Sequence, residues 1–216
     1  MMKNKTYAVF GLGRYGRAVA KELVDNGMEV IAIDEDQDVV NDAATYLPIC
    51  KCADVTDAEV IARLGIAEID TVIICMAGKL EASVMAVTLC KEAGVKTVIA
   101  KCANEMHQKI LLRVGADRVV FPENESGIRL AKNIMSSGFI DMISLSEDVS
   151  MIEIDVKDEW IGKNLIELNL RQKYGFNIVA VKDGDRVNVN VDPKQLLDAD
   201  TTLIVIANTA KLRKFK

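Results

Sequence analysis

Short apolar runs alternate with amphipathic segments along the first two thirds of the chain. Apolar residues at helical spacing fill the segments between the runs, which predicts that strands and helices alternate. The six predicted strands begin near Thr6, Glu29, Pro48, Thr71, Thr97 and Arg118. Because strands joined by helical crossovers pair in parallel, we predict an α/β fold with a doubly wound parallel sheet.

The pattern changes after a further amphipathic helix, predicted at about 124–137. We expect this helix to cross over to a second copy of the chain at a dimer interface, with burial inside a single chain as the alternative. A boundary near Gly138 separates a first domain, 1–138, from a small α+β domain, 139–216. In the second domain the predicted elements are a helix at 164–168 and strands at 151–156, 177–182, 187–191 and 203–206.

A GxGxxG pattern directly follows the first predicted strand and opens the first predicted helix. Gly11 permits a tight turn, Gly13 lets backbone N–H groups approach a pyrophosphate, and Gly16 lets the helix pack closely on the strand. The phosphates would lie at the helix N-terminus, where unpaired amides and the helix dipole favour an anion. The pattern predicts a Rossmann-like nucleotide-binding domain, and a purely structural turn is the alternative.

A carboxylate ends the second predicted strand, at Asp34. Its distance from the glycines, about 20 residues, is the one at which an acidic side chain accepts hydrogen bonds from an adenosine ribose. A 2′-phosphate would be repelled there by like charge, which disfavours NADP. ATP, ADP and NAD(H) stay open at this point, since all of them carry an unmodified adenosine ribose.

The composition narrows the classes of function. Half of the 216 residues are apolar, and the formal net charge of −5 argues against a general nucleic-acid-binding protein. No apolar run is long enough to cross a bilayer and no secretory leader is recognisable, so we expect a cytoplasmic protein. The cysteines lack zinc-ligand spacing, and we expect them to be small buried hydrophobes: Cys50, Cys52, Cys75, Cys90 and Cys102.

Residues suited to catalysis are not evident. A dehydrogenase needs a proton-transfer residue beside its nicotinamide. His107 is the only histidine, no tyrosine precedes a lysine by four positions, and the C-terminal domain has no Cys/His or Ser/His pair. We therefore predict a regulator that is not an enzyme, with a small NAD-dependent oxidoreductase as the alternative.

Several motifs together resemble those of one protein family. They are GLGRYG at 11–16, IAID at 31–34, Ala53–Asp54, Met76–Gly78, AKCAN at 100–104, GAD at 115–117 and Pro122–Glu123. Over nearly its whole length the chain resembles the RCK (regulator of K⁺ conductance) family, most of all its cytosolic Ktr/Trk-type subunits. The resemblance implies dimers that assemble into an octameric ring beneath a membrane K⁺ transporter subunit, at the inner face of the cell membrane. In that family, binding of ATP, ADP or NAD(H) changes the shape of the ring and gates K⁺ uptake.

The resemblance assigns roles to individual residues of the first domain. It places Asp34, Glu35 and Asp36 at the ribose, and Asp54 and Val55 at the adenine. The cleft floor and its continuation comprise Met76, Ala77, Gly78, Lys101, Cys102, Ala103 and His107. Two local alternatives stay open, since Lys101 also suits an ion pair within the chain and His107 a helix surface.

The resemblance also implies that two further residues lie at subunit contacts. Arg14 would reach the terminal phosphate of a nucleotide, including one held by a neighbouring subunit, which favours ATP or ADP over NAD(H). Glu123 would hold a divalent cation, Mg²⁺ or Ca²⁺, that bridges two subunits. The alternatives are a solvated Arg14 and a Glu123 that only favours the start of a helix.

The C-terminal domain contains a second candidate site. Its segment from Ile166 to Arg171, followed by Asn177 and Ile178, resembles the segment where some family members bind cyclic di-AMP at a dimer interface. The resemblance makes Arg171 and Asn177 the polar contacts, and Ile166 and Ile178 the apolar walls. An ordinary hydrophobic dimer edge with a solvated arginine is the alternative.

Overall fold

The computed structural model describes residues 5–135, 139–146, 148–184, 186–212 and 215. Its contacts divide the chain into two compact units, Met1–Pro122 and Glu123–Lys216. The predicted boundary at Gly138 lies outside the described residues, so the division into 1–138 and 139–216 stays a prediction. None of the helices in the described ranges is long and apolar enough to cross a lipid bilayer.

The first unit contains the predicted parallel sheet. Its strands are β1 (Thr6–Phe10), β2 (Glu29–Asp34), β3 (Cys50–Cys52), β4 (Thr71–Ile74), β5 (Thr97–Lys101) and β6 (Arg118–Val120). The helices between them are α1 (Arg14–Asp25), α2 (Gln37–Ala43), α3 (Ala58–Arg63), α4 (Leu80–Glu92) and α5 (Glu105–Arg113). All pairings are parallel, in the order β3-β2-β1-β4-β5-β6, which confirms the doubly wound, Rossmann-like prediction.

The central strand β1 is buried on both faces of this sheet. Ala8, Val9 and Phe10 are fully buried, and successive side chains point into the two helix layers on opposite faces. β1 pairs with β2 on one side and with β4 on the other. The strand order reverses between β1 and β4, and ligands of such sheets bind in the crevice at the carboxyl ends of strands at this reversal.

The second unit contains an antiparallel sheet. Its strands are β7 (Phe139–Ser144), β8 (Val149–Asp155), β9 (Asn177–Asp183), β10 (Arg186–Asn188) and β11 (Thr201–Asn208), in the order β10-β9-β11-β8-β7. The helices are α6 (Pro122–Met135), α7 (Leu165–Leu168), α8 (Leu170–Tyr174) and α9 (Thr209–Leu212). This is the predicted small α+β domain, although the strand predicted at 187–191 is shorter and begins at Arg186.

One face of this second sheet forms a core of its own. Along β11, Leu203 and Val205 are fully buried while Ile204 between them is half-buried, the alternation expected of a sheet covered on one face. An aromatic cluster extends this core, with the ring of Phe215 edge-on to Tyr174 and Phe176 at centroid distances of 4.9 and 4.8 Å. Phe215 therefore contributes to the second hydrophobic core.

Three apolar side chains of α6 are exposed. Ile128, Leu130 and Ile134 have exposed fractions of 48, 60 and 73%. A helix buried inside the chain was the alternative to a dimer contact, and these fractions contradict it. The dimer interface itself stays a prediction.

The prediction that the five cysteines are buried holds for two of them, and Cys52 departs from it most. All five are free thiols, and Cys90 and Cys102 are buried, but Cys52 is exposed. Cys52 lies on β3, which forms an edge of the first sheet and therefore has no strand of that sheet on its outer side. The expectation of burial is wrong for this residue.

Candidate functional site

The GxGxxG turn has the close contacts that its spacing predicts. Gly11 adopts a φ of +87°, and its amide donates a 2.8 Å hydrogen bond to the carbonyl oxygen of Ile33. A Cβ on Gly16 would lie 1.9 Å from the carbonyl oxygen of Gly11, so α1 begins against the turn itself. At Gly13 no atom lies within 4 Å of the equivalent position. The turn is therefore crowded behind Gly11 and Gly16 and open in front of Gly13, where a ligand could approach the backbone.

Asp34 connects this turn to the end of β2. Its Oδ2 accepts a hydrogen bond from the amide of Leu12 at 2.6 Å, and its Oδ1 accepts one from the amide of Asp36 at 3.0 Å. These two bonds fix the carboxylate beside the glycine turn. Each carboxylate oxygen has a second lone pair, so the side chain can still accept hydrogen bonds from a ligand.

A cavity of about 270 Å³ opens at the carboxyl ends of the strands around this carboxylate. Eight of the predicted site residues line it: Gly11, Gly13, Asp34, Glu35, Asp54, Val55, Met76 and Gly78. They come from the ends of β1 and β2, the segment after β3, and the segment after β4. The first sheet thus brings together most of the residues predicted for the ribose, the adenine and the cleft floor.

Four other predicted residues do not line this cavity. Gly16 is buried against the turn, Ala77 is buried, and Arg14 is exposed at the first residue of α1. Asp36 caps α2, where its Oδ1 accepts hydrogen bonds from the amides of Asp38 and Val39. Its position after β2 suited a ribose contact; its Oδ1 caps the start of α2, and a ribose contact of Asp36 stays a prediction.

The segment after β5 forms a network with α4 rather than a wall of this cavity. The ring of His107 is buried, its Nδ1 accepts a hydrogen bond from the amide of Ala103, and its Nε2 lies 2.8 Å from Oγ of Ser83. Nδ1 is therefore unprotonated, and Nε2 donates to Ser83, whose hydroxyl donates to the carbonyl oxygen of Leu80. Burial lowers the pKa of His107 from its ordinary value. A helix-surface position for His107 is wrong, and its contact with a ligand stays a prediction.

The remaining predicted residues of the first site are outside the cavity. Cys102 is fully buried next to Val120, to whose carbonyl its amide donates. Lys101 is half-buried, with its Nζ 5.6 Å from the centre of the Tyr15 ring. Glu123 is exposed in the first turn of α6. Among the described residues no three His, Cys, Asp or Glu side chains are grouped to hold a metal ion, so a cation at Glu123 stays a prediction.

Six residues of the cavity lining were not predicted as site residues, and three of these have polar or ionisable side chains. Thr56 donates hydrogen bonds from its hydroxyl and amide to Oδ1 of Asp54, and these bonds lower the pKa of that carboxyl. Lys79 forms an ion pair with Glu35, whose hydrogen bond and negative charge raise the pKa of the lysine. Cys75 has a pKa of about 12 because it is desolvated, so its thiol stays protonated at neutral pH.

The helix N-termini at this cavity differ from those elsewhere in the first unit. Helices α2, α3 and α5 begin with a side chain that accepts a backbone N–H, from Asp36, Asp57 and Asn104. Helices α1 and α4 begin at Gly13 and Lys79 without such a bond, and both residues line the cavity. The first amides of α1 are thus not used by a capping side chain and are suited to bind an anion.

The second unit contains a smaller polar cavity of about 240 Å³. Of the four residues predicted there, Arg171, Asn177 and Ile178 line the cavity, and they are joined by the buried ring of Phe176. Ile166 does not line it and has an exposed fraction of 58%. Leu165 and Leu170 form the apolar part of the cavity lining, and a ligand contact of Ile166 stays a prediction.

Comparisons with known proteins assign the chain to a family. The TrkA-N domain model matches residues 7–122, and the TrkA-C domain model matches residues 149–216. The chain is 37% identical to Ktr system potassium uptake protein C of Bacillus subtilis, over 98% of this chain and 96% of that one. It is 31% identical to Ktr system potassium uptake protein A of the same organism, over 100% of this chain and 97% of that one.

A solved structure supports the fold. The structure of the GsuK channel bound to NAD aligns with a TM-score of 0.64 at 17% identity, over 98% of this chain and 38% of that chain. At that identity the likeness concerns the fold alone. The family models and the Ktr relatives confirm the resemblance to RCK proteins, and the chain belongs to the Ktr family of potassium uptake proteins, with a TrkA-N domain followed by a TrkA-C domain.

Proposed function

We propose that this chain is a nucleotide-responsive regulatory subunit of a Ktr-type potassium uptake system. The observation that carries the proposal is the 270 Å³ cavity between Asp34 and the uncapped N-terminus of α1. One end offers a carboxylate to ribose hydroxyls, and the other offers backbone amides to phosphates. The Ktr relatives, named for potassium uptake, support a role in transport regulation over that of an oxidoreductase.

ATP and ADP are the proposed ligands, and NAD(H) is the alternative. Arg14 is exposed at the start of α1, where a guanidinium can reach a terminal phosphate, including that of a nucleotide in a neighbouring subunit. NAD lacks a terminal phosphate, so this residue favours ATP. The aligned GsuK channel was solved with NAD, which supports the alternative.

The proposed assembly is a ring made of dimers, eight subunits in all, beneath a membrane K⁺ transporter subunit. The exposed apolar side chains of α6 support a dimer contact, because the described part of the chain leaves them largely open to solvent. Glu123 at the start of that helix is the proposed ligand of a Mg²⁺ or Ca²⁺ ion between subunits. The ring would be cytoplasmic and reach the membrane through its transporter partner.

Gating requires that the nucleotide distinguish between two shapes of the ring. A ligand that binds both shapes equally shifts no population, however tightly it binds. Residues that reach across a subunit contact, as proposed for Arg14 and Glu123, would supply the difference in affinity. ATP and ADP would then stabilise different ring shapes, because only ATP carries the third phosphate.

A second ligand, cyclic di-AMP, is proposed for the cavity of the second unit. Arg171 would pair with a phosphate, Asn177 would hydrogen-bond a phosphate or a base, and Ile178 would contact an adenine ring. The test is calorimetric titration of cyclic di-AMP into wild type and Arg171→Ala. An absence of heat and of a thermal shift in the wild type would remove this ligand from the proposal.

Titration of the purified protein with ATP, ADP and NADH, combined with light scattering, tests the main proposal. We expect adenine nucleotides to bind and the particle mass to correspond to a multiple of the dimer. A monomer in the presence of ATP, or no binding at millimolar adenylate, would contradict it. The oxidoreductase alternative is tested by NADH oxidation with a panel of carbonyl compounds, and reproducible turnover would favour it.

A further inference from the structure

An ion pair between Glu35 and Lys79 joins two sides of the nucleotide cavity. Glu35 directly follows β2, and Lys79 precedes α4 in the connection after β4. β1 lies between β2 and β4 in the sheet, so the pair crosses the carboxyl end of β1. Both side chains line the cavity, and their exposed fractions are 54% and 62%. The pair therefore belongs to the cavity wall, and either side chain can change partner without disturbing the core.

Negatively charged side chains outnumber positively charged ones in the cavity lining. Its lining residues include three carboxylates, on Asp34, Glu35 and Asp54, and a single ammonium group, on Lys79. Asp34 accepts two backbone amides and Asp54 accepts the hydrogen bonds of Thr56, whereas Glu35 pairs with the ammonium group. The charges of Asp34 and Asp54 act on Lys79 as well. Lys79 is thus the positive side chain that faces all three carboxylates of the cavity lining.

A nucleotide that binds in this cavity brings the negative charge of its phosphates. The lysine ammonium is a compact charge on a flexible stem, and phosphate oxygens are strong acceptors for it. An exposed ion pair such as the one with Glu35 is only weakly stable in water. A ligand phosphate can therefore compete with Glu35 for Lys79, and Glu35 opposes the transfer.

We propose that Lys79 is a charge-selecting ligand contact of this cavity, and that Glu35 competes with the phosphates of an adenine nucleotide for its ammonium group. The inference rests on the nucleotide site of the proposed function. It assigns Glu35 a role different from a ribose contact, since its carboxylate would limit affinity rather than add to it. The affinity for phosphorylated ligands, but not for the uncharged nucleoside, would then depend on both residues.

Calorimetric titration with ADP and with adenosine distinguishes these roles. In Lys79→Gln, we expect ADP binding to weaken about three- to fivefold, the size of an exposed charge contact. In Glu35→Gln, we expect ADP binding to strengthen about two- to threefold, because the ammonium group is released to the phosphates. Adenosine affinity should stay within about twofold of wild type in both, and high salt should reduce the ADP effects.

The double variant separates competition from a general change of charge. If Glu35 acts through Lys79, the gain from Glu35→Gln disappears when Lys79 is already Gln. Lys79→Arg keeps the charge and should keep most of the ADP affinity. Two matched controls change a charge at the amino ends of the strands, away from the cavity. Lys96→Gln breaks a 3.1 Å pair with Asp70, and Glu29→Gln changes the first residue of β2. Both should bind ADP like wild type.

Several outcomes would overturn the inference while leaving the nucleotide site intact. Equal loss of ADP and adenosine affinity in Glu35→Gln would show that its carboxylate contacts the ribose. Unchanged ADP affinity in Lys79→Gln would show that the ammonium group does not reach the phosphates. A wild-type protein that binds neither ligand would contradict the proposed function itself. Thermal unfolding of each variant shows that a changed affinity does not result from loss of the fold.

Discussion

The amide of Leu12, in the glycine turn, donates a 2.6 Å hydrogen bond to Oδ2 of Asp34, at the end of the neighbouring strand. A carboxylate predicted from its position to bind a ribose therefore also supports the turn that would bind the phosphates. The amide of Asp36 donates to the other oxygen of the same group. The proposed nucleotide binding and the stability of the turn would thus depend on the same side chain at this position.

Replacement of Asp34 by Ala should lower both stability and nucleotide affinity. Two backbone amides lose their acceptor, which costs about 1–3 kcal/mol of the free energy of unfolding for a part-buried donor. Denaturant unfolding measures this loss and calorimetric titration measures the affinity. The control is Asp38→Ala, at the second residue of α2. Equal effects in the two variants would show that the glycine turn does not depend on Asp34.

The two glycines that follow in the pattern should respond differently to Ala. In Gly16→Ala the new Cβ would meet the carbonyl oxygen of Gly11 at 1.9 Å, so overpacking should destabilise the fold by about 1–3 kcal/mol or more. In Gly13→Ala the Cβ has no neighbour within 4 Å, so the fold should be kept while the space for phosphates is reduced. Thermal unfolding and ADP titration check both, and a well-folded Gly16→Ala would contradict the packing argument.

The sequence predicted the parallel sheet and the glycine turn well because each depends on local patterns. Alternating strands and helices determine the sheet, and Gly11, Gly16 and Asp34 have fixed places in it. The connections that follow the strands are different, because their side chains can form hydrogen bonds with several nearby groups. Asp36 was predicted at the ribose, and its Oδ1 accepts a hydrogen bond from the amide of Asp38 at the start of α2.

Residues whose positions were not predicted likewise depend on contacts that the local sequence does not determine. The side chain that caps α3 is Asp57, while the hydroxyl of the preceding Thr56 donates to Asp54 in the cavity. Lys79 faces Glu35 only because the ends of two non-adjacent strands meet at the cavity, a relation between positions far apart in the chain. His107 lies at the start of an amphipathic helix, and only the packing of α5 on α4 buries it. Such contacts depend on tertiary structure.

The stability of the protein should depend on pH near neutrality through His107. Burial lowers its pKa below 6.5 in the folded state, so below that pH the unfolded chain binds a proton more readily than the folded one. The free energy of unfolding should therefore fall as pH falls from about 7 towards the lowered pKa. The slope approaches about 1.4 kcal/mol per pH unit where only the unfolded chain is protonated at this residue.

Denaturant unfolding between about pH 7.5 and 5, roughly the range of histidine titration, measures this dependence. Since the chain has no other histidine, His107→Gln should be less stable overall but should lose the part of the slope above the titration of carboxylates. The same slope in the variant and the wild type would show that another group is responsible.

A charge on the exposed face of α6 should disrupt assembly without unfolding the chain. Ile134 has an exposed fraction of 73%, so Ile134→Lys removes little packing within the chain, while a buried lysine at a dimer contact is costly. Light scattering should show a smaller particle, and the melting temperature should report any loss of the dimer. Val189→Lys, at an equally exposed apolar residue with a fraction of 71%, is the control. Unchanged mass in Ile134→Lys would exclude this face as the contact.

Removal of the Arg14 guanidinium should affect ATP more than ADP. Arg14 is exposed at the first residue of α1, and a guanidinium there can pair with the third phosphate, which ADP lacks. We expect Arg14→Ala to weaken ATP binding by about fivefold or more and ADP binding less, as for a charge-assisted contact made by one ligand only. The control is Arg113→Ala, which removes an exposed guanidinium from the last turn of α5. If Arg14→Ala keeps the wild-type ratio of ATP to ADP affinity, the third phosphate has a different partner, and the preference for ATP over NAD(H) loses its support from this residue.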